Sequence, residues 1–262
     1  DPIIMVGYRF LLAGGILLIF VLATGRSLRP HLGRSLFLAI FLWLLYVPQT
    51  LGLKYTTASN SGFITGLFVI FIPLFLLTIF RRRPTVMESA ASLISLGGLW
   101  VLTGGMTDIN LGDVLTLVTA MAYALHLLFA DKYMKTGVDA YVFSCQQFLM
   151  VGILALLTGL VFDLPFGITN WSAGVIVLFL ALFPTLSAFV IQMLAQKIVS
   201  PIRVSLIFAL EPVFAAVFAW TLGGEQFITH RALGGLLIFT ALLLSGLPTP
   251  RFLRRRTDFK SA

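Results

Sequence analysis

The sequence predicts an all-α integral membrane protein, folded as an inverted-repeat helical bundle. Three observations lead to this prediction: the composition, a series of apolar segments, and a pattern that occurs twice. The chain has 262 residues, of which 59% are hydrophobic and 11% are charged. A soluble domain carries about 25% charged residues. With so few charges this chain cannot cover a surface that faces water, and we therefore expect lipid around it.

Nine apolar segments follow one another along the chain, each about as long as a membrane-spanning helix. No linker or soluble domain separates them, so we expect one helical bundle. The predicted spans are residues 3–23, 35–54, 61–80, 86–105, 112–130, 140–162, 172–195, 202–222 and 231–248.

Basic residues predict the orientation of these spans. Taken in chain order, the loops after the first, third, fifth and seventh spans and the tail after the ninth are rich in Lys and Arg, at 26–34, 81–83, 132–135, 197–203 and 251–260. Cytoplasmic loops of membrane proteins carry such an excess. We therefore expect a multi-pass protein of a bacterial-type inner (plasma) membrane, with a cytoplasmic C-terminus. The net charge of +8 reflects this topology, and no nucleic-acid partner is expected.

The chain also repeats itself. FVIFIPLFLLTIF around Pro73 resembles FALEPVFAAVFAW around Pro212, and each leads into a span with a Gly-Gly pair. The two copies lie five spans apart, an odd number, and so have opposite orientations. Inverted repeats of this kind are typical of secondary transporters, whose solute sites lie at the repeat interface near the middle of the membrane. Pro73 and Pro212 are predicted as helix breaks in corresponding helices.

These observations divide the chain into a first repeat (1–105), a second repeat (106–250) and a basic cytoplasmic tail (251–262). The first repeat has four spans and the second has five. We therefore expect one further span before Asp1 and ten spans in the full protein.

Glu211 is the deepest carboxylate of the chain, in the middle of the apolar eighth span and directly before Pro212. A charge at this depth is costly, so such a residue usually faces a bundle interior or an aqueous cavity. One interpretation is that Glu211 titrates, binds a cation or pairs with a substrate amine. The other is that it caps the half-helix that starts at Pro212 by accepting backbone N–H groups.

Aromatic and polar residues of the first and second spans are further candidates for the cavity. Arg9 is suited to bind a substrate carboxylate, or else to reach the interface or pair with another helix. Trp43, Tyr46 and Gln49 are spaced three residues apart, so they share one helix face. This stripe suits a small organic solute, but it also fits an interfacial aromatic belt with interhelical hydrogen bonds.

Five more polar or aromatic residues lie within apolar spans, where a cavity role and a structural role are both open. Asn60 lies beside a Gly-x-x-x-Gly packing signal. Tyr123 and His126 share a helix face, and a buried His either relays protons or simply packs. Gln146 and Gln192 are candidates for substrate contact or for hydrogen bonds between helices.

The sequence resembles the EamA branch of the drug/metabolite transporter superfamily over essentially its whole length. Several segments carry the resemblance: Tyr-Arg-Phe at 8–10, LKYTTASNSGFITGLFVIFIP at 53–73, LGD at 111–113, AYAL at 122–125 and, most specifically, SPIRVSLIFALEPVFAAVFAWTLGGE at 200–225. The resemblance implies ten helices in two inverted five-helix repeats and a central cavity. It also implies export or exchange of small metabolites such as amino acids. Arg81-Arg82-Arg83-Pro84 departs from the Gly-Glu that many relatives have there.

The leading hypothesis is a secondary transporter that exports a small metabolite, an amino acid or related compound, by alternating access. The alternatives are a nucleotide-sugar or sugar-phosphate exchanger and a non-transporting membrane scaffold. No metal-ligand spacing, P-loop or dinucleotide fingerprint occurs, so we expect neither an enzyme nor a cofactor nor a metal. The expected partners are a small-molecule substrate and the lipid bilayer, with a homodimer as an open alternative.

Overall fold

A computed structural model describes residues 1–106, 109–167, 171–224 and 226–247. Within these residues, nine helices are long and apolar enough to cross a membrane. The predicted all-α membrane fold is therefore confirmed. The expected basic tail (251–262) lies outside the described residues. The helices are α1 (Pro2–Ala23), α2 (Leu32–Gly52), α3 (Ala58–Thr78), α4 (Val86–Thr103), α5 (Leu111–Met134), α6 (Ala140–Val161), α7 (Trp171–Ala195), α8 (Pro201–Thr221) and α9 (Thr229–Gly246).

Short polar motifs determine where several of these helices begin. Thr85 and Glu88 form a capping box at the start of α4, and Asn110 and Asp113 form one at the start of α5. In each box two side chains satisfy backbone N–H groups that have no partner within the helix. At the start of α8 the hydroxyl of Ser200 accepts a bond from the backbone N–H of Arg203 at 3.4 Å.

Three of the helices are interrupted within the membrane. Helix α3 consists of Ala58–Gly66 and Phe68–Thr78, and α8 consists of Pro201–Phe208 and Glu211–Thr221. Helix α7 contains a π-helical turn at Ala181–Ser187. Such irregular backbone is tolerated at membrane depth where it is buried in protein or lines a cavity.

The interruption in α3 differs in position from the break expected at Pro73. It lies at Leu67, and Pro73 is inside the second half of the helix. Proline removes one backbone donor, but neighbouring helices allow a membrane helix to continue through it. At Leu67 the N–H donates to Ile64 at 3.1 Å, three residues earlier, which tightens the turn after Gly66. Pro212, in contrast, lies in the first turn after the interruption of α8.

Two helix pairs make the most extensive contacts, α1 with α6 and α4 with α9. The members of each pair occupy equivalent places in the predicted repeats. Between α4 and α9 the backbones touch at two glycines. A Cβ atom on Gly98 would lie 2.8 Å from the carbonyl oxygen of Gly234, and one on Gly234 would lie 2.6 Å from that of Gly98. Glycine allows this close approach, as in other membrane helix pairs.

The apolar core is divided between two groups of helices. One buried cluster joins α1, α2, α6 and α7, and another joins α3, α4, α8, α9 and part of α5. Each group thus combines helices from both predicted repeats. Tyr123 of α5 packs against both clusters, and a central cavity opens beside it.

Candidate functional site

A central cavity of about 630 Å³ is lined by residues of α2, α3, α4, α5, α7 and α8. This volume is in the range of small-molecule sites. The interruptions of α3 and α8 both border it, at Gly66 and at Ala209. The structure brings five of the residues that the sequence analysis singled out to this cavity: Tyr46, Gln49, Tyr123, Gln192 and Glu211. Pro212 also lines it.

Glu211 is the charged residue of the cavity lining. It occupies the first turn of the second half of α8, where the helix dipole favours a negative charge. Its side chain is exposed toward the cavity and makes no hydrogen bond or ion pair within the described part of the chain. It therefore does not cap the half-helix by accepting backbone N–H groups. Among the described lining residues there is no Lys, Arg or His.

Aromatic rings surround the space in front of this carboxylate. The ring of Tyr123 lies 4.5 Å from that of Phe68 and is stacked at 6.0 Å on that of Phe208. The rings of Tyr46 and Phe189, which also line the cavity, are 6.5 Å apart. Aromatic faces attract cations, most strongly where water is excluded. The cavity thus combines one carboxylate with several aromatic faces, an arrangement suited to an organic ammonium group.

Two amides complete the polar part of the lining. The Nε2 of Gln49 donates to the Thr65 hydroxyl at 3.1 Å, which fixes Gln49 of α2 against α3. The Nε2 of Gln192 donates to Gln196 at 3.4 Å, and Gln196 in turn donates to the carbonyl of Leu127 at 2.9 Å. Each amide is therefore oriented by a neighbouring helix or turn while it lines the cavity.

Arg9 lies directly behind the cavity wall. Its Nε donates to the Thr185 hydroxyl at 2.9 Å, and its Nη2 donates to the Tyr46 hydroxyl at 3.3 Å. The guanidinium also lies 4.7 Å from the centre of the Tyr46 ring. The side chain is buried and is not part of the lining. Arg9 thus pairs with other helices and orients Tyr46, which is one of the two interpretations that the sequence left open.

Trp43 and Asn60 also lie outside the cavity lining. The Nε1 of Trp43 donates to the Thr158 hydroxyl of α6 at 3.0 Å, which joins α2 to α6. Asn60 is buried in the first turn of α3, where its backbone N–H donates to Thr57 at 3.1 Å.

His126 and Gln146 form buried hydrogen bonds and are not part of the lining of the central cavity. The Nε2 of His126 lies 3.0 Å from the Oε1 of Gln147 in α6. Gln146 accepts a bond from Ser35, and its Nε2 donates to the carbonyl oxygens of Leu28 and Pro30 at 2.7 and 2.9 Å. Gln146 therefore fixes the loop between α1 and α2 rather than a cavity wall.

Several lining residues were absent from the sequence-based candidates, because they are apolar and look like ordinary core residues. The most prominent are Phe68, Phe189 and Phe208. A helical spacing of three residues contained a signal for one of them. Phe189 precedes Gln192 by three residues within one helix, which places the pair on a similar face. Phe208 also precedes Glu211 by three residues, but the interruption of α8 separates the two.

The fold and the site describe a multi-pass membrane protein with a solute-sized cavity between interrupted helices. The sequence profile of the EamA-like transporter family matches residues 1–104 and again residues 110–247. The chain therefore belongs to the EamA-like transporter family, and the resemblance noted from its sequence is confirmed.

Two curated relatives and one solved structure are similar to this chain. An uncharacterized transporter of Archaeoglobus fulgidus is 26% identical over 78% of this chain, which spans 66% of that relative. The uncharacterized inner membrane transporter YedA of Escherichia coli strain K12 is 26% identical over 93% of this chain and 81% of its own length. A crystal structure superposes with a TM-score of 0.84 at 19% identity, over 98% of this chain and 89% of that one. At this identity the superposition shows the shared fold.

Proposed function

We propose that this protein is a secondary transporter that exports a small metabolite with an ammonium group, an amino acid or a related amine, by alternating access. The single observation that carries the proposal is the carboxylate of Glu211, which faces the central cavity and has no hydrogen-bond or ion-pair partner among the residues that the structure describes. A carboxylate at membrane depth without a partner is costly. An ammonium group of the substrate, or a coupling cation, supplies the missing charge.

The aromatic rings around Glu211 support the same substrate class. Tyr123, which contacts Phe68 and Phe208, adds an aromatic ring to the lining of the cavity that Glu211 faces. A cation–π contact contributes about 0.5–2 kcal/mol. The carboxylate supplies charge recognition and the aromatic walls accept apolar parts of the substrate.

The two alternative functions receive less support from the cavity. A nucleotide-sugar or sugar-phosphate exchanger needs cationic side chains to bind phosphate. Arg9 was the cationic residue that the sequence placed within a span. Its guanidinium is hydrogen-bonded to Thr185 and Tyr46 behind the cavity wall. A scaffold without transport function predicts that the polar groups are tightly packed, whereas Glu211, Gln49 and Gln192 line an open space.

The division of the core supports a mechanism for alternating access. The group α1, α2, α6 and α7 and the group α3, α4, α8 and α9 meet at the central cavity. We propose that these groups rock against each other, so that each moving unit contains helices of both repeats. The interruptions of α3, α7 and α8 border the cavity and would absorb the backbone changes. We place the C-terminus on the cytoplasmic side, as the basic loops predict. Export then carries the substrate from the cytoplasm outward across an inner membrane.

Counterflow in proteoliposomes tests the proposal. Proteoliposomes that contain the full-length protein are loaded with one unlabelled amino acid or amine at a time. The uptake of the same compound in labelled form is then measured. We expect counterflow of at least one compound with an ammonium group. Glu211→Gln should abolish it or remove its pH dependence, whereas the control Asp163→Asn, on an exposed loop outside the cavity, should leave it unchanged. Equal flux and equal pH dependence in Glu211→Gln and wild type would contradict the role of Glu211.

A further inference from the structure

A second cavity, of about 290 Å³, lies between the C-terminal ends of α3 and α5. It shares no lining residue with the central cavity. Apolar side chains of both helices form one part of it, among them Leu76, Ile79 and Phe129. Arg82, Asp131 and Lys132 form the other part. The cavity therefore has an apolar side and a charged side.

The backbone at the end of α3 places Arg82 over this cavity. Arg81 adopts a left-handed conformation with φ of 51°. The backbone N–H of Arg82 then donates to the carbonyl of Leu76 at 2.8 Å, six residues earlier. This bond closes the C-terminal end of α3 by satisfying one of its last carbonyl groups. A left-handed residue other than glycine is uncommon, and here it turns the chain back, so that the next side chain faces α5.

The charged side of the cavity has an excess of positive charge. The carboxylate of Asp131 is 2.6 Å from the Nζ of Lys135, so its charge is compensated within α5. Arg82 and Lys132 are exposed, and in the described ranges neither has a carboxylate within 4.0 Å. Two cationic side chains are thus available to an anion.

The location of the cavity decides what kind of anion suits it. Helices α3 and α5 are separated by one span, so their C-terminal ends lie at the same membrane surface. Lys132 belongs to the last turn of α5, and Arg82 follows the end of α3 closely. Both cations therefore lie at the level of lipid headgroups, while Leu76 and Ile79 continue toward the hydrocarbon. Basic pockets between membrane helices at this level bind anionic headgroups.

We propose that this cavity binds one anionic phospholipid, with its phosphate between Arg82 and Lys132 and an acyl chain along Leu76 and Ile79. The phosphate matches the two cations, and the acyl chain matches the apolar side, which a free phosphate would leave without a partner. This site is independent of the substrate that the central cavity binds.

Native mass spectrometry of the purified full-length protein tests this proposal. The protein is titrated with phosphatidylglycerol and, separately, with phosphatidylcholine. We expect one phosphatidylglycerol to bind in preference to phosphatidylcholine. Arg82→Gln combined with Lys132→Gln should weaken phosphatidylglycerol binding by about 10- to 30-fold. The control combination Arg83→Gln with Lys197→Gln removes the same charge from exposed residues outside the cavity and should retain the binding. Equal affinity in the two double variants would overturn the proposal.

A competition measurement distinguishes a bound lipid from a bound free phosphate. Inorganic phosphate is added in large excess to the complex of the wild-type protein with phosphatidylglycerol. Retention of the lipid supports the proposal, and complete displacement overturns it in favour of a site for free phosphate. If the double variant does not fold, the single change Lys132→Gln at an exposed position replaces it, with an expected loss of about fivefold. The charge-retaining change Arg82→Lys should keep the preference for phosphatidylglycerol.

Discussion

Arg9 of α1 donates a hydrogen bond from its Nε to the hydroxyl of Thr185 at 2.9 Å, within the π-helical turn of α7. The same hydroxyl donates to the carbonyl of Leu180, five residues earlier, at 2.8 Å. Pro184, the neighbour of Thr185, lines the central cavity. A cation of one helix thus stabilises an irregular turn of another, and both support the cavity wall. Single π turns inside α-helices frequently mark functional sites.

Thr185→Val should destabilise the protein, because it leaves the buried Nε of Arg9 without its acceptor. A lost hydrogen bond to a charged group costs about 1.5–3 kcal/mol. The measurement is the thermal unfolding midpoint of the purified protein in detergent. Ser187→Ala is the control, since this exposed serine of the same turn bonds only a local carbonyl, that of Leu182. Equal midpoints for the two variants would show that Arg9 does not depend on Thr185.

Gly98→Ala should separate α4 from α9. A Cβ atom at this position would lie 2.8 Å from the carbonyl oxygen of Gly234 and 3.0 Å from the backbone nitrogen of Ile238. Overpacking of this kind typically costs about 1–3 kcal/mol. Gly97→Ala is a matched control, because nothing lies within 4 Å of a Cβ there. That change should raise stability slightly, since alanine favours the helix by up to about 1 kcal/mol. An equal free energy of unfolding for the Gly98→Ala and Gly97→Ala proteins would contradict the close packing of α4 against α9.

Gly62→Trp should block transport without unfolding the protein. Gly62 lines the central cavity, and a Cβ on it would meet no atom of the described residues within 4 Å, so a large side chain can extend into the open space. The measurements are counterflow of the identified substrate and the circular dichroism spectrum. Gly15→Trp, at an open position of α1 outside the cavity, is the control. Undiminished counterflow in Gly62→Trp would show that solute does not pass through this space.

Tyr123→Leu should weaken substrate binding more than Tyr123→Phe does. Loss of the ring removes a cation–π contact worth about 0.5–2 kcal/mol, a change in KM of roughly 2- to 30-fold. Phenylalanine keeps a ring between Phe68 and Phe208 and should retain most of the affinity. Phe239→Leu, an exposed aromatic of α9, controls for general effects of losing a ring. Equal KM values for the leucine and phenylalanine variants at position 123 would exclude a role for the aromatic face.

The number of spans and their order could be predicted from the sequence, because the bilayer acts on each segment separately. Every backbone polar group in hydrocarbon needs an internal partner, so an apolar segment of sufficient length becomes a helix. Hydropathy therefore located all nine helices of the described ranges to within a few residues. The interruption of α3 lies at Leu67 and not at the predicted position, Pro73. The helix continues through Pro73 because neighbouring helices can accommodate a proline in a membrane helix.

The candidate site could be predicted only in part. Glu211, Gln49 and Gln192 were chosen for their polarity and do line the cavity. Trp43, His126 and Gln146 were chosen on the same grounds and instead bond Thr158, Gln147 and the loop before α2. A polar side chain within a membrane helix needs a partner, and composition does not distinguish a protein partner from a solute.

By itself the sequence determined that this chain crosses the membrane repeatedly, and it predicted two related halves and one carboxylate in the middle of an apolar span. These properties follow from local hydropathy and from spacing along the chain, which act on one segment at a time. Only the tertiary structure decided that α4 and α9 pack together through Gly98 and Gly234, that Arg9 bonds residues of the cavity wall from behind, and that aromatic rings line the same cavity as Glu211. These relations depend on the rotation and crossing of helices far apart in the chain, which packing determines.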